Sequence, residues 1–305
     1  MNVSLEELLT SCRSYTDLGK VASYIPELQK SDPHRLGLCI LSCHGEYQTE
    51  GDARVLFTVQ SIIKPILLLQ ALLDNGVDVV RAHVGVEATG KPFDAINYTD
   101  QILDSQHLNP MVNMGAIAVC SLIHGGSYEE RFQRLLALAR MLAGDAPIQV
   151  NEAVYRSEKS HATKNRALAY LLKTYGIIHD DVEEVLDCYF RSCAISTDCT
   201  GLARIGGVLA NQGRCPDTQE ALIPPEYARF VNAILMTCGM YDGSGDFAVR
   251  VGVPAKSGVG GGIMAVVPGR MGIGIYSPAL DEKGNSLAGI RLLELLSQAM
   301  DLSIF

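Results

Sequence analysis

The stretch FTVQSIIKPILLL, residues 57–69, indicates the fold most clearly, because its secondary-structure pattern changes at Ser61. The aromatic and β-branched residues before Ser61 are typical of an extended segment. The apolar run after Ser61, with Pro65 in its first turn, is typical of a helix that closes on Asn75-Gly76. We therefore predict that a strand passes into a helix at Ser61.

Lys64 follows Ser61 by one helical turn, and this S-x-x-K spacing places the amine on the same side as the hydroxyl. A serine hydroxyl is a weak nucleophile that needs a base, and a lysine amine can be that base once burial lowers its pKa. The spacing by itself is more often a capping serine followed by a solvated lysine. The strongly apolar surroundings of Lys64 favour the catalytic interpretation.

Lys256-Ser257-Gly258 is the second chemical motif, and it lies on a predicted strand just before the glycine-rich segment 259–262. A K-S-G strand that faces an S-x-x-K serine is the pattern of the penicillin-recognising enzymes. The glycine lets a substrate approach the strand edge, and a neighbouring N–H can complete an oxyanion hole. The tripeptide alone is more often a solvated lysine in a glycine turn, but the two motifs in this order are much less often a coincidence.

Strand signals lie at the two ends of the chain, and the middle is mostly helical. Strands are predicted at 36–42, 47–49, 253–257, 262–267 and 271–276. Helices are predicted at 4–11, 110–124, 127–143, 160–175, 181–193, 198–211, 224–238 and 286–300. We predict one α/β domain over residues 1–305, with a mainly antiparallel sheet from about 17–60 and 245–300 and a helical lobe from about 61–240. A cleft between lobe and sheet is the default place for a site.

Five further polar residues have both a structural and a functional interpretation. Asn113 lies in an apolar, small-residue helix start, where it is a cap or an amide that contacts a substrate. Glu158 and Asn165 are seven residues apart, which is two turns on one face if the helix is continuous. One interpretation is that both are solvated surface residues. The other is that they bind a substrate, with the Glu158 carboxylate contacting an ammonium and the Asn165 amide contacting a carboxylate or carboxamide. Tyr189 and Tyr241 are more often core or surface tyrosines than ligands.

The composition indicates a globular protein and argues against two classes of partner. Apolar residues are 48% and charged residues 19% of the chain, which is enough to bury a large core. The net charge of -9 and the pI of about 5.3 argue against nucleic acid, because no basic patch stands out to neutralise phosphates. The longest apolar stretch, residues 65–73, is too short to span a bilayer, so we expect no membrane partner.

The nine cysteines have irregular spacings, with no CxxC pair and no Cys/His cluster of zinc-ligand spacing. We therefore predict free thiols, no metal site and no cofactor. Free thiols are typical of a reducing compartment. The first 20 residues lack the basic and apolar segments of a secretory signal, so we expect a cytoplasmic protein.

Several motifs in order resemble the serine-dependent glutaminases, whose catalytic domain is β-lactamase-like. They are GKVASYIP (19–26), FTVQSIIKP (57–65), NPMVNMGAI (109–117), Ser157-Glu158 with Asn165, and GMYDGSGDFAVRVGVPAKSGVGGGI (239–263). The resemblance runs from about residue 17 to 300. Met114, Thr89 and Asp94 depart from the residues that are usual in the family, which puts substrate fine-tuning in doubt but not the chemistry.

The resemblance implies hydrolysis of L-glutamine to L-glutamate and ammonia through an acyl-enzyme, without a metal, in a homodimer or homotetramer. It implies that Ser61 is the nucleophile, Lys64 its base and Tyr241 an aid to proton transfer, and it leaves the role of Lys256 open. The implied substrate-binding residues are Tyr24, Ser61, Asn113, Glu158, Asn165, Tyr189, Tyr241 and Val259, with the N–H groups of Ser61 and Val259 as the oxyanion hole.

Two other functions remain open on the sequence alone. One is a different enzyme on the same fold, a β-lactamase or carboxypeptidase, which a secretory signal would favour. The other is a catalytically silent protein that binds an amino acid. The intact combination of Ser61, Lys64, Tyr241 and the K-S-G strand counts against a silent protein.

Overall fold

The computed structural model describes residues 4–90, 92–95 and 108–305. Its main sheet has five strands in the order β2-β1-β8-β7-β6, and all neighbours are antiparallel. The strands are β1 (Gly37–Ser42), β2 (Tyr47–Gly51), β6 (Ala255–Ser257), β7 (Gly262–Val267) and β8 (Met271–Tyr276). Because β1 pairs with β8, the two ends of the chain share this sheet, as predicted.

Helices cover both faces of the sheet. Leu38 and Ile40 pack in one core with α1 (Leu5–Cys12) and α11 (Leu287–Met300), whereas Cys39 and Leu41 face the core that contains α8 (Cys199–Ala210). This alternation follows from the two-residue period of a strand. It explains why the predicted strand at 36–42 reads as a continuous apolar run: both of its faces are buried.

The α8 helix lies close to the backbone of β8. A Cβ at Gly272 would lie 2.1 Å from the Ala203 oxygen, and one at Gly274 would lie 2.1 Å from the Cys199 oxygen. Only glycine permits this approach.

The remaining long helices form a lobe around two buried ones, α2 (Lys64–His83) and α3 (Asn113–Ser121). The helices packed around them are α4 (Tyr128–Ala143), α5 (Glu152–His161), α6 (Thr163–Thr174), α7 (Val182–Cys193) and α9 (Pro225–Cys238). A short helix, α10 (Ser244–Arg250), leads back to the main sheet. None of the described helices is long and apolar enough to cross a membrane. All nine cysteines are free and buried.

A second, small antiparallel sheet joins the extended segment predicted before Ser61 to two strands inside the block that the sequence predicts to be helical. It consists of β3 (Phe57–Thr58), β5 (Ile195–Thr197) and β4 (Gln149–Val150), with β5 in the centre. The N–H of Val59 then donates to the Ile195 oxygen at 2.8 Å. This sheet fixes the segment that leads into Ser61, and its strands of two or three residues are too short to show a period in the sequence.

Two predicted helix boundaries are wrong. The helix after Ser61 does not end at Asn75-Gly76; α2 continues to His83 across a kink, where Gly76 has φ 78° and ψ 170°. The predicted helix at 160–175 is preceded by a separate helix that the sequence analysis missed, and α5 and α6 meet at Ala162, whose ψ of 40° interrupts the helical geometry.

Candidate active site

Ser61 is buried in a tight turn between β3 and α2. The turn is a 3-10 helix over Gln60–Ile63, and Lys64 is the first residue of α2, so the helix starts three residues later than predicted. Gln60 has a φ of +48°, which is costly for a residue with a side chain and is found mostly at functional sites. The apolar side chain of Ile63 is fully buried and anchors the turn.

The segment Gly258–Gly262 packs directly against this turn. A Cβ at Gly258 would lie 2.5 Å from the Val59 oxygen, and one at Gly260 would lie 2.6 Å from the Thr58 oxygen. The glycines therefore bring Val259 beside the Ser61 turn. In the described part of the chain, neither the Ser61 N–H nor the Val259 N–H donates a hydrogen bond of normal geometry. Two free N–H groups at one place are the requirement for an oxyanion hole.

Lys64 is fully buried and held by α3 and the residues before it. Its Nζ donates to Asn113 Oδ1 at 2.8 Å and to the Met111 oxygen at 3.3 Å, and it makes no hydrogen bond to Ser61. Burial lowers the Lys64 pKa to about 8, against the opposing effect of nearby negative groups such as Glu158. About a tenth of such amines are neutral at pH 7, which makes Lys64 a competent base.

Lys256 is a second fully buried lysine, and it joins two loops. Its Nζ donates to the Gly239 oxygen at 2.9 Å and to the Ser257 oxygen at 2.7 Å. Gly239 starts the turn that carries Tyr241, and Ser257 precedes the segment that carries Val259. The amine also lies 4.4 Å from the centre of the Tyr241 ring. Burial, and then the charge of Lys64, lower the Lys256 pKa well below its ordinary value.

Tyr241 is buried with a φ of +56°, so its backbone is in a conformation that residues with a side chain rarely adopt. Its hydroxyl has no hydrogen-bond partner of normal geometry within the described chain. Burial raises the Tyr241 pKa, while the Ser61 side chain and the Val259 N–H, which are both close to the hydroxyl, lower it. The hydroxyl is therefore protonated and adjacent to Ser61.

A cavity of about 320 Å³, here called the head-group cavity, opens beside this centre. Its wall includes Tyr24, Phe93, Asn113, Glu158 and Asn165. Glu158 is only 6% exposed, and its Oε2 has no hydrogen-bond partner in the described chain. Burial raises the Glu158 pKa to about 8, against the opposing charge of Lys64. An unpartnered buried carboxylate is costly, and a cationic ligand in the cavity would remove that cost.

Asn113 connects the head-group cavity to Lys64. Its Nδ2 donates to Asn165 Oδ1 at 2.9 Å, and its Oδ1 accepts from Lys64 and, at 3.5 Å, from the Tyr189 hydroxyl. Glu158 and Asn165 both line the cavity, but the condition of one continuous helix is not met, because the helical geometry is interrupted between α5 and α6. The break brings the start of α6, instead of a second turn of the same helix, to the cavity.

Tyr24 reaches the head-group cavity from an irregular N-terminal segment. Its side chain is 56% exposed and lines the cavity, and desolvation of the hydroxyl, followed by the charge of Glu158, raises its pKa. Tyr24 also lines a neighbouring groove of about 600 Å³ between residues 18–24 and 280–287. The structure thus brings all the predicted site residues to one region.

The sequence model of the glutaminase family matches residues 19–305. The chain belongs to the glutaminase family. It is 50% identical to the glutaminase of Clostridium tetani (strain Massachusetts / E88) over 305 residues, which is all of both chains. The predicted family is therefore confirmed, and so is the predicted enzyme class.

Solved structures of glutaminases are similar to this chain over nearly its whole length. One is the covalent complex of a Bacillus subtilis glutaminase with 5-oxo-L-norleucine, formed by reaction with 6-diazo-5-oxo-L-norleucine. Its TM-score is 0.90 at 40% sequence identity, and the match covers 99% of this chain and 98% of that one. Another is Mglu in its glutamate form, with a TM-score of 0.93, 37% identity, and 98% and 68% coverage. These neighbours confirm the β-lactamase-like α/β fold.

Two residues of this glutaminase site are missing from the sequence analysis. The Phe93 ring lies 4.7 Å from the Tyr241 ring and 5.9 Å from Lys64 Nζ, and its carbonyl accepts the Asn113 N–H at 2.9 Å. Cys193 is buried, and its pKa is raised by burial and then by the charge of Glu158. A single phenylalanine in a loop and one cysteine among nine carry no pattern that marks them.

The family departures lie around the site. Asp94 forms an ion pair with Lys164 at 2.6 Å, which ties the loop that carries Phe93 to α6. Met114 is buried in the core of the lobe. Neither residue belongs to the reaction centre, but Asp94 lines the head-group cavity.

Proposed function

We propose that this glutaminase hydrolyses the side-chain amide of L-glutamine through an acyl-enzyme on Ser61. The observation that carries the proposal is the buried carboxyl group of Glu158, whose Oε2 has no hydrogen-bond partner in the described chain, in a cavity that Asn113 joins to Lys64. One end of the site suits an ammonium, and the other suits a carbonyl under attack. L-Glutamine has both groups, separated by a short chain.

In the first step the neutral amine of Lys64 takes the Ser61 proton, and Oγ attacks the amide carbon. Lys64 donates to Asn113 and Met111 in this structure, and catalytic hydrogen bonds commonly tighten only when substrate binds. The amide oxygen becomes an oxyanion that accepts from the free N–H groups of Ser61 and Val259.

The leaving nitrogen needs a proton before the carbon–nitrogen bond breaks. The Tyr241 hydroxyl is protonated and unpartnered, and Lys64 carries the proton that it took from Ser61. Tyr241 therefore gives its proton to the nitrogen and regains one from Lys64, so that ammonia leaves. Water then attacks the ester with the neutral amine of Lys64 as base, and glutamate and the Ser61 hydroxyl are regenerated.

The head group of glutamine is held in the head-group cavity. Glu158 pairs with the α-ammonium, and Asn165 and the hydroxyls of Tyr24 and Tyr189 hydrogen-bond around the α-carboxylate and amide. The covalent complex of the Bacillus subtilis relative supports this assignment, because 6-diazo-5-oxo-L-norleucine has the same amino-acid head group and a diazomethyl ketone in place of the carboxamide.

We also propose that residues 1–305 form one catalytic domain that works in the cytoplasm as a homodimer or homotetramer. The nine free, buried thiols support a reducing compartment. The full-length match to the Clostridium tetani relative supports the single domain. Light scattering would measure the oligomer, and an isolated monomer would contradict it.

The experiment is ammonia release from a panel of L-glutamine, L-asparagine and simple amides, with opening of a β-lactam measured in parallel. Glutamine should be turned over much faster than asparagine, because asparagine is one methylene too short to reach Ser61 while Glu158 holds its ammonium. Faster β-lactam opening than glutamine hydrolysis would contradict the proposal.

A further inference from the structure

A second cavity, of about 230 Å³, adjoins the reaction centre, and no part of glutamine occupies it in the proposed mechanism. We call it the rear cavity. Its lining includes Phe93, Asn109, Met111, Thr237, Tyr241, Asp242 and Gly245. Phe93 lines both the rear cavity and the head-group cavity, so the two share a wall.

Lys64 lies between the two cavities. Its Nζ donates to Asn113, which lines the head-group cavity, and to the oxygen of Met111, which lines the rear cavity. The carbonyl carbon that reacts with Ser61 must lie beside this amine. A substrate whose head group is held by Glu158 thus reaches the reaction centre from the head-group cavity. The rear cavity then lies on the far side of the reacting carbon.

The leaving nitrogen points toward the rear cavity. In a tetrahedral intermediate the acyl chain and the leaving group extend in different directions from the carbon. The nitrogen must lie at its proton donor, Tyr241, and Tyr241 lines the rear cavity but not the head-group cavity. A substituent on that nitrogen would therefore enter the rear cavity.

We infer that the rear cavity accepts the nitrogen substituent of γ-glutamyl alkylamides, so that the enzyme also hydrolyses secondary amides of the glutamine side chain. This inference rests on the proposed function. Ser61 Oγ forms a bond to the amide carbon, and the carbon–nitrogen bond breaks. The nitrogen takes its proton from Tyr241 and leaves as a primary amine. Water cleaves the ester to glutamate, so one amide and one water give one acid and one amine.

The charge of the rear cavity selects the type of amine. Asp242 is the one charged residue in its described lining, and it is exposed at the rim. Neutral alkyl groups and groups that end in an ammonium fit such a lining. A carboxylate fits less well, because Asp242 would repel it and none of the described residues that line this cavity is a cation. The preferred substrates are short alkylamides and aminoalkylamides, and γ-glutamyl amino acids are poor ones.

Gly245 gives a direct test of the inference. It lies in α10 without a left-handed φ, and a Cβ built there meets no atom within 4 Å. Gly245 is exposed, so Gly245→Leu adds a bulky side chain at the mouth of the rear cavity without a backbone clash. Thr237→Leu, at an exposed position near the end of α9, adds bulk at another wall of the cavity. Val249→Leu is the matched control, because Val249 is on the same short helix but is 88% exposed and outside the cavity.

The assay measures glutamate, the common product, from L-glutamine and from its γ-methylamide, γ-ethylamide and γ-butylamide. The wild type should hydrolyse the alkylamides. In Gly245→Leu and Thr237→Leu the ratio of kcat/KM for the butylamide to that for glutamine should fall at least about tenfold, since a filled pocket rejects a longer group by about that factor. In Val249→Leu the ratio should match the wild type.

The outcomes separate this inference from the proposed function. Hydrolysis of glutamine without hydrolysis of any alkylamide would overturn the inference alone. A ratio that stays at the wild-type value in both filled variants would also overturn it. Loss of glutamine hydrolysis in the wild type would instead overturn the proposed function.

Discussion

The reaction centre and the head-group cavity are built in different ways. The centre combines two short motifs, with Ser61 and Lys64 in one and Lys256 in the other, and most of its polar groups are fully buried. The head-group cavity is lined by residues from irregular segments and from three helices, α3, α5 and α6, and Tyr24 remains half exposed. Chemistry thus depends on a rigid local arrangement of backbone and lysines, whereas recognition depends on long-range packing. Changes at Ser61 and Lys64 should therefore affect turnover by larger factors than changes in the cavity.

The largest effect should come from Ser61→Ala, because no other group in the centre is proposed to form the acyl-enzyme. We expect kcat to fall by on the order of 10⁴ or more with an unchanged circular dichroism spectrum. Ser11→Ala, on the exposed face of α1, is the control and should retain full activity. A folded Ser61→Ala protein that releases ammonia at a near-normal rate would refute the nucleophile.

Lys64→Arg should have the next largest effect. Arginine keeps the positive charge but cannot release its proton at neutral pH, so the base is lost. We expect kcat to fall by on the order of 10³. Lys30→Arg, at an exposed ion pair, is the matched control. Retained activity in Lys64→Arg would move the role of base to Tyr241.

The pH dependence should follow the two groups whose pKa values are shifted to about 8. Glu158 must be ionised to bind the ammonium, and Lys64 must be neutral to act as base, so both must lose a proton. The value of kcat/KM should therefore rise with pH and level off above about pH 8, falling about a hundredfold or more between pH 8 and pH 6. A profile that is flat between pH 6 and pH 8 would show that neither group titrates there.

Glu158→Gln tests the head-group cavity. The ammonium would lose a charge-assisted hydrogen bond of roughly 1.5–3 kcal/mol, which is about a tenfold to hundredfold loss in kcat/KM for glutamine. A glutamine analogue without the α-amino group should be affected far less, and the pH profile should become less steep. Glu152→Gln, at an exposed position of the same helix, is the control. Equal losses on both substrates would mean that Glu158 has a structural role.

The smallest effect should come from Lys256→Met, because Lys256 acts through Tyr241 and Val259. Without the two hydrogen bonds of its amine, the loops that carry these residues are less well fixed. We expect kcat to fall about tenfold while KM changes little, since both groups act mainly in the transition state. Lys30→Met is the matched control. A change in KM alone would place Lys256 in substrate binding instead.

The same contrast explains what could be predicted from the sequence. Ser61, Lys64 and Lys256 are recognisable because their chemistry depends on short spacings in the chain. The main sheet is recognisable because its strands β1, β7 and β8 have six residues each. Most of the small sheet is not, because β4 and β5 have only two and three residues. Phe93 and Cys193 join the site through tertiary packing alone, which no local pattern records.

The interruption of helical geometry at Ala162 shows the limit of predictions that rest on helical spacing. The residues on either side of it have ordinary helical composition, and no glycine or proline marks the end of α5. A spacing of two helical turns therefore does not relate Glu158 to Asn165, although both residues line the cavity. Their meeting depends on the angle between two helices, which tertiary contacts decide.

The most direct test of the central claim is to map the residue that 6-diazo-5-oxo-L-norleucine modifies. The protein is treated with this compound, digested, and analysed by tandem mass spectrometry, with Ser61→Ala treated in parallel. We expect a single adduct on Ser61 in the wild type and none in Ser61→Ala. An adduct on the nearby Cys193 with Ser61 unmodified, or an equal adduct in both proteins, would contradict it.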